Sequence, residues 1–222
     1  MINANRQQST AQRPLRADAA KNKQIILDTA SQLFARQGME VTLEQIASEA
    51  GLGVGTVYRR FPTLDALIDE LFGERFSQWA IRVKNLEAMG ETDPWGAFEA
   101  YLYDLAEAQG CDAAFAQLLV EPLDGSCRFG ELHAQTIRGA QRILALARDA
   151  EVVRADLDNE YLLHIQLAIL GVAGVSSSLG SSAAKSLVKI VVAGCKPQPK
   201  DSPILPPPTL KERTCWQHLI QN

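Results

Sequence analysis

Ala50-Gly51-Leu52-Gly53-Val54-Gly55-Thr56-Val57-Tyr58-Arg59-Arg60-Phe61 is the stretch whose reading decides the fold. Gly51, Gly53 and Gly55 crowd together, a costly choice in a helical region unless the backbone needs an unusual shape there. The helix expected over 54–60 is about two turns long, and a helix that short is unstable in water without packing built to hold it. Its polar side chains, Thr56, Tyr58, Arg59 and Arg60, suit phosphate oxygens and base edges. The run therefore reads as a tight turn followed by a short helix fit for the DNA major groove.

Upstream, apolar residues Ile25, Ile26, Ala30, Leu33 and Phe34 fall at helical spacing. They predict a first helix over 18–37 that stops at Gly38. Thr42-Leu43-Glu44-Gln45 is a capping-box pattern and opens a second helix with Leu43, Ile46, Ala47 and Ala50 facing inward. Downstream, Pro62 breaks the third helix and Thr63 caps a longer fourth one, where Leu64, Leu67, Ile68 and Leu71 continue the apolar face. The expected organisation is a flexible arm over 1–17, a helix-turn-helix domain over 18–72, a helical body over 73–195 and a Pro-rich tail over 196–222.

Strand patterns are nearly absent, so the chain is expected to be all-α. In the body, Asp93-Pro94 starts a helix carrying Trp95, Phe98, Leu102 and Leu105. Further helices are expected over 112–123, 131–150, 158–175 and 183–193. The tail holds Pro197, Pro199, Pro203 and Pro206 to Pro208, which favour extended chain.

The 222 residues carry a net charge of −4, which argues against a protein coated in basic charge. The charge is uneven. Residues 1–62 hold eight Lys and Arg against five Asp and Glu, a net of +3 that leaves −7 for the remainder. A slightly basic N-terminal module on an acidic body suits a protein that meets nucleic acid at one end only. The start of the chain has no apolar signal region, and the most apolar stretch, 162–175, is interrupted by His164 and Gln166 and is too short to span a bilayer. No membrane partner is expected, and the expected location is the cytoplasm. Cys111, Cys127, Cys195 and Cys215 are scattered and read as free thiols. There is no nucleophile–base pair, metal-ligand spacing or phosphate loop, so no catalytic residue, metal or cofactor is expected and the chain reads as a non-enzyme.

The run 50–61, with Ile26-Leu27-Asp28-Thr29-Ala30 through Phe34, Gly38 and Thr42-Leu43-Glu44-Gln45-Ile46-Ala47 upstream of it, resembles the signature of the TetR family of bacterial transcriptional regulators. The likeness in motifs covers the first quarter to third of the chain. The rest resembles the family in being a helical body of the right length.

The resemblance implies an N-terminal three-helix DNA-binding domain and a C-terminal helical bundle for effector binding and dimerisation. It implies that Thr42 holds a phosphate through its hydroxyl and the free N–H groups of the second helix. Gly55 would let the third helix approach DNA closely, and Thr56 and Tyr58 match positions that touch backbone or bases. Arg59 lies at the variable position suited to sequence readout, with Val54 available for a thymine methyl. Arg60 is expected to reach a phosphate or to pair with an acid of the body, and Thr63 joins this set. Arg13 and Arg16 on the arm would add attraction to DNA. Two departures stand out: Gly53 where the family often has a Ser cap, and Leu64 where it often has Lys.

For the body, the resemblance implies a homodimer in which the last two helices pair across a two-fold axis, through Leu167, Leu170, Gly171 and Gly174. Packing within one chain is the alternative for those residues. It also implies a small-molecule pocket, with Trp79, Trp95, Phe98, Tyr101, Phe115 and His164 as candidate lining. Taken singly, each of these reads more readily as ordinary core than as pocket lining, with His164 packed and His133 on the surface. Together they suggest a largely apolar or aromatic effector with one or two polar groups. The expectation is a ligand-responsive regulator, in the first place a repressor, that binds a palindromic operator in double-stranded DNA as a homodimer. Two other readings stay open: the same fold without a small-molecule ligand, and a helical enzyme or binding protein that uses the body alone.

Overall fold

Ile26, Ala30, Leu33 and Phe34 are buried along one side of a long first helix, α1 (Gln8–Gln37). Ile25, expected in the same stripe, is half-buried. This computed structural model describes residues 8–120, 128–174, 180–199 and 202–205. The helix ends where Gly38 takes φ +77° and its N–H bonds back to the Phe34 carbonyl, a left-handed stop that suits glycine. The sequence placed the start of this helix at residue 18, after a mobile arm. The described part of that arm is instead helical from Gln8. Ala11, Leu15, Ala19 and Ala20 are strong helix formers, and Pro14 removes one ladder bond without ending the helix.

Thr42 caps α2 (Leu43–Glu49). Its Oγ1 accepts from the Gln45 N–H at 3.2 Å, and the Thr42 N–H donates to Gln45 Oε1 at 2.8 Å, so the capping box is complete. Leu43, Ile46 and Ala47 are buried against α1 and α3 (Val54–Arg60), whereas Ala50 is half-buried. Gly51 at φ +66° turns the chain, and the Leu52 N–H closes the turn on the Ala47 carbonyl. The Thr63 hydroxyl then accepts from the Ala66 N–H at the start of α4 (Leu64–Gly90), where Leu67 and Ile68 are buried.

The chain divides into two compact units, Met1–Leu71 and Phe72–Asn222. The second is a helical bundle organised around α5 (Pro94–Cys111). Asp93 caps α5, and Ala97, Phe98, Tyr101, Leu102, Leu105 and Ala106 are buried on it. It packs against α6 (Ala113–Val120), α7 (Arg128–Asp149), α8 (Asn159–Ala173) and α9 (Gly180–Cys195). Asp112 accepts from the Ala114 and Phe115 N–H groups at the head of α6, and Asp158 does the same for Glu160 and Tyr161 at the head of α8. Where α7 crosses α4, a Cβ on Gly139 would lie 2.6 Å from Val83 Cγ1, so glycine permits the close approach.

On α7, Ile143 is buried as expected, but Leu132, Ile137 and Leu146 are half-buried. The buried side runs through His133, Thr136, Ala140, Ile143, Leu144 and Ala147. His133 is therefore not the surface residue the sequence suggested. Its Nε2 contacts the Leu119 carbonyl at 3.3 Å and its ring leans on Phe76.

After α9 the chain turns back. The Leu205 N–H donates to Asp156 Oδ2 at 2.6 Å, and Arg154, in a bidentate pair with Asp156, donates to the Pro203 carbonyl at 3.2 Å. The tail's first residues are thus tied to the loop between α7 and α8. Residues 206–222 lie outside the described residues, as do Cys127, Cys215 and most of the loops expected over 122–130 and 176–182. Among the described residues there are nine helices and no strand, and no helix is long and apolar enough to cross a membrane.

Candidate nucleic-acid interface

The short α3 is held from below and bare above. Val57 is 0% exposed and Phe61 is buried beside it, which fastens two turns that would not survive alone. The opposite side carries Val54, 44% exposed, and Tyr58, 41% exposed, with Gly55, Arg59 and Arg60 also exposed and Thr56 half-buried. Gly53 takes the cap position with no side-chain bond, as its lack of a side chain requires. Arg59 Nη2 donates to Thr56 Oγ1 at 3.3 Å, so its guanidinium stays along the exposed face. The Arg60 guanidinium lies 5.8 Å from the Phe61 ring centre, and among the described residues it makes no ion pair.

Two elements build one surface here. Thr42 is exposed at the α2 N-terminus, where the helix dipole favours an anion. The Tyr58 hydroxyl on α3 donates to Glu44 Oε1 on α2 at 2.6 Å. That bond, then the Glu44 N–H, then the Thr42 hydroxyl hold the Glu44 carboxyl below the usual carboxylate range. The same bond to Glu44, more than burial, pushes the Tyr58 phenol up. The structure thus brings Thr42, Val54, Gly55, Thr56, Tyr58 and Arg59 onto neighbouring turns of α2 and α3. Thr63 lies beyond them as the cap of α4. Sequence reasoning missed Glu44 as part of this surface. It read that residue only within the capping pattern, although an acid in the first turn beside a Thr cap was the available signal.

The body candidates divide. Trp79, Phe98, Tyr101 and Phe115 are buried, and Trp95 and His164 are half-buried. The Trp79 and Tyr101 rings pack 6.0 Å apart, Trp95 and Phe98 6.4 Å apart, and His164 meets Tyr161 edge-on at 6.0 Å. Trp79 and Phe115 line an open groove of about 280 Å³ with Arg75, Arg82 and Asp104. Both arginines are already paired, Arg75 with Asp112 and Arg82 with Asp104. Trp95, Phe98, Tyr101 and His164 do not line that groove. Inside the bundle, the Gln166 amide donates to the Tyr101 hydroxyl at 2.6 Å. Among the described residues, the buried Gln109 amide and His133 Nδ1 have no hydrogen-bond partner. Burial pushes His133 down to about 4, against a smaller upward pull from the Leu119 carbonyl. Among the described residues no cluster of His, Cys, Asp or Glu is arranged to hold a metal.

On α8, Leu167 is 42% exposed, Gly171 and Gly174 are exposed, and Leu170 is half-buried. On α9, which packs beside it, Ile190 is 72% exposed.

An all-helical protein with a pinned two-turn helix after a glycine turn, carried on a separate helical body, belongs to the helix-turn-helix class. Comparison with known proteins makes this specific. Residues 26–71 match the family described as bacterial regulatory proteins, tetR family. An HTH-type transcriptional regulator of Staphylococcus aureus (strain MRSA252) is 33% identical over 87 residues, covering 38% of this chain and 44% of that protein. Another from Staphylococcus aureus (strain USA300) is 44% identical over 48 residues, 21% of this chain and 26% of that protein. The chain thus matches less than half the length of these curated relatives. Among solved structures, a mutant of HlyIIR shares the fold with a TM-score of 0.58 at 16% identity, covering 81% of this chain and 97% of that one. Residues 26–71 thus form an N-terminal domain of the kind found in the TetR family of bacterial transcriptional regulators.

Proposed function

We propose that the protein is a transcriptional repressor that binds a near-palindromic operator as a homodimer and leaves it when a small, largely apolar or aromatic effector binds the body. The observation that carries this reading is the exposed α3 face: Val54, Gly55, Tyr58, Arg59 and Arg60 stand clear while Val57 and Phe61 anchor the helix. Thr42 at the α2 N-terminus is suited to a phosphate, and Arg59 to a guanine edge. One helix of two turns reads few bases, so specificity favours two copies on paired half-sites. The exposed Leu167, Gly171 and Gly174 of α8, with Leu170 and the Ile190 of α9, support a second copy packing there. Small residues allow the close helix approach such a contact needs.

The effector reading is supported by the aromatic side chains around α5 and by two buried polar groups, Gln109 and His133 Nδ1, that lack partners among the described residues. Such groups call for a water or a ligand. Release requires that the effector bind the DNA-competent and DNA-free conformations unequally. The ring-to-ring packing of Trp79, Tyr101, Trp95 and Phe98 favours a second reading, a regulator of this fold that answers to no small molecule. The proposed setting is the cytoplasm, with no cofactor and no enzymatic step.

The test is fluorescence anisotropy of a selected duplex, titrated with salt and with random competitor DNA. Tight binding to an inverted repeat that weakens steeply with salt is the expected result. Equal affinity for random DNA would refute the repressor reading.

A further inference from the structure

A phenol has one proton to donate, and in this structure the Tyr58 proton is directed at a carboxylate. Tyr58 Oη donates to Glu44 Oε1 at 2.6 Å across the α2–α3 turn. The Thr42 hydroxyl oxygen accepts from the Gln45 N–H at 3.2 Å. The Tyr58 hydroxyl is therefore engaged by Glu44 before any DNA arrives. A hydroxyl whose proton is held elsewhere meets a further group as an acceptor only. Phosphate oxygens are acceptors too, so they do not complement it. The donors on the floor of the major groove are the amino groups of cytosine and adenine, and a carboxylate is itself a good partner for the cytosine amino group. A carboxylate also repels phosphates, so Glu44 is poorly placed on a surface that only grips the backbone.

We infer that Glu44 is a specificity-determining residue: with Tyr58 it forms an acceptor pair that reads a base amino group, of cytosine or adenine, in each half-site. The pair complements Arg59, which offers donors to guanine. This inference rests on the DNA-binding reading above. It assigns Tyr58 to a base rather than to a phosphate.

The test uses the full chain and a pool of fluorescent duplexes with randomised half-sites, with the bound fraction sequenced. The unsubstituted protein should prefer cytosine or adenine at one position of each half-site. Tyr58→Phe and Glu44→Ala should each relax that preference about tenfold, the scale of one lost base contact. The double variant should be little worse than either single one, because the two side chains act together. Glu44→Ala should also strengthen binding to random duplex, since a negative charge leaves the face, whereas Tyr58→Phe should not. Glu44→Gln keeps an acceptor oxygen and should retain the base preference. It also serves if the alanine variant folds poorly by circular dichroism.

Uniform weakening on all sequences by Tyr58→Phe, the mark of a phosphate contact, would overturn the inference. So would an unaltered base preference in Glu44→Ala. Those results refute the pair alone if the unsubstituted protein selects an inverted repeat. An unsubstituted protein with no sequence preference would refute the repressor reading itself.

Discussion

Gly55 is the position where one methyl group should move stability and DNA binding in opposite directions. It lies inside α3, is exposed, and a Cβ built on it meets nothing within 4 Å. Gly55→Ala therefore introduces no clash in the free protein. Glycine inside a helix is less favourable than alanine by about 0.5–1 kcal/mol. The seven-residue α3 also lacks a side-chain cap at Gly53, so it should register the gain. Gly55→Ala is expected to raise the unfolding free energy by about 0.5–1 kcal/mol in urea titrations followed by circular dichroism. The same methyl stands on the face proposed to meet DNA, so operator affinity should fall about tenfold, the scale of one good base contact. Gly51→Ala is the control. It too meets no atom within 4 Å, but its φ of +66° suits glycine, so that variant should lose about 1 kcal/mol. Lower stability in Gly55→Ala would show that this backbone is not helical and open. A stabilised variant with unchanged operator affinity would refute the close approach of α3 to DNA.

Three further outcomes are expected. His133 is buried neutral, with burial holding it near 4 against an unfolded value of 6.5. Only the unfolded chain takes up that proton between those values, so the stability is fully present above pH 6.5. It should fall as pH drops toward 4, by up to about 3 kcal/mol; acid unfolding as steep in His133→Gln as in the parent would refute this. Tyr101→Phe removes the acceptor of the buried Gln166 amide and should cost about 1–3 kcal/mol; adding Gln166→Leu should recover part of that loss in thermal melts. Leu167→Glu combined with Ile190→Glu should turn a dimer into a monomer in sedimentation and abolish tight operator binding. A dimer that persists with both charges in place would remove the α8–α9 surface from the proposed interface.

Much of the first unit was readable from sequence because its signals are local. A capping box, a left-handed glycine and a proline break each act over a few residues, and Thr42, Gly38, Gly51 and Pro62 mark the helix ends where the structure has them. The start of α1 was misread because Pro14 looked like an end, whereas the helix begins at Gln8 and runs through it. The body was less legible. Periodicity located α7 but picked Leu132, Ile137 and Leu146 for its inner side, and the structure turns His133, Ala140 and Leu144 inward as well. Which side of an amphipathic helix is buried depends on its neighbours, and those come from distant sequence.

The residues around Gly51 thus determined by themselves that a short helix would follow a sharp turn and present Tyr58 and Arg59. Backbone conformation and capping are properties of neighbouring residues, so no further information was needed. The bond from Tyr58 to Glu44, the burial of His133 and the fastening of Leu205 to Asp156 were decided only by the tertiary structure. Each joins groups 14 to 49 residues apart, and the direction of a hydroxyl proton or the partner of an imidazole is settled by packing that no local pattern encodes.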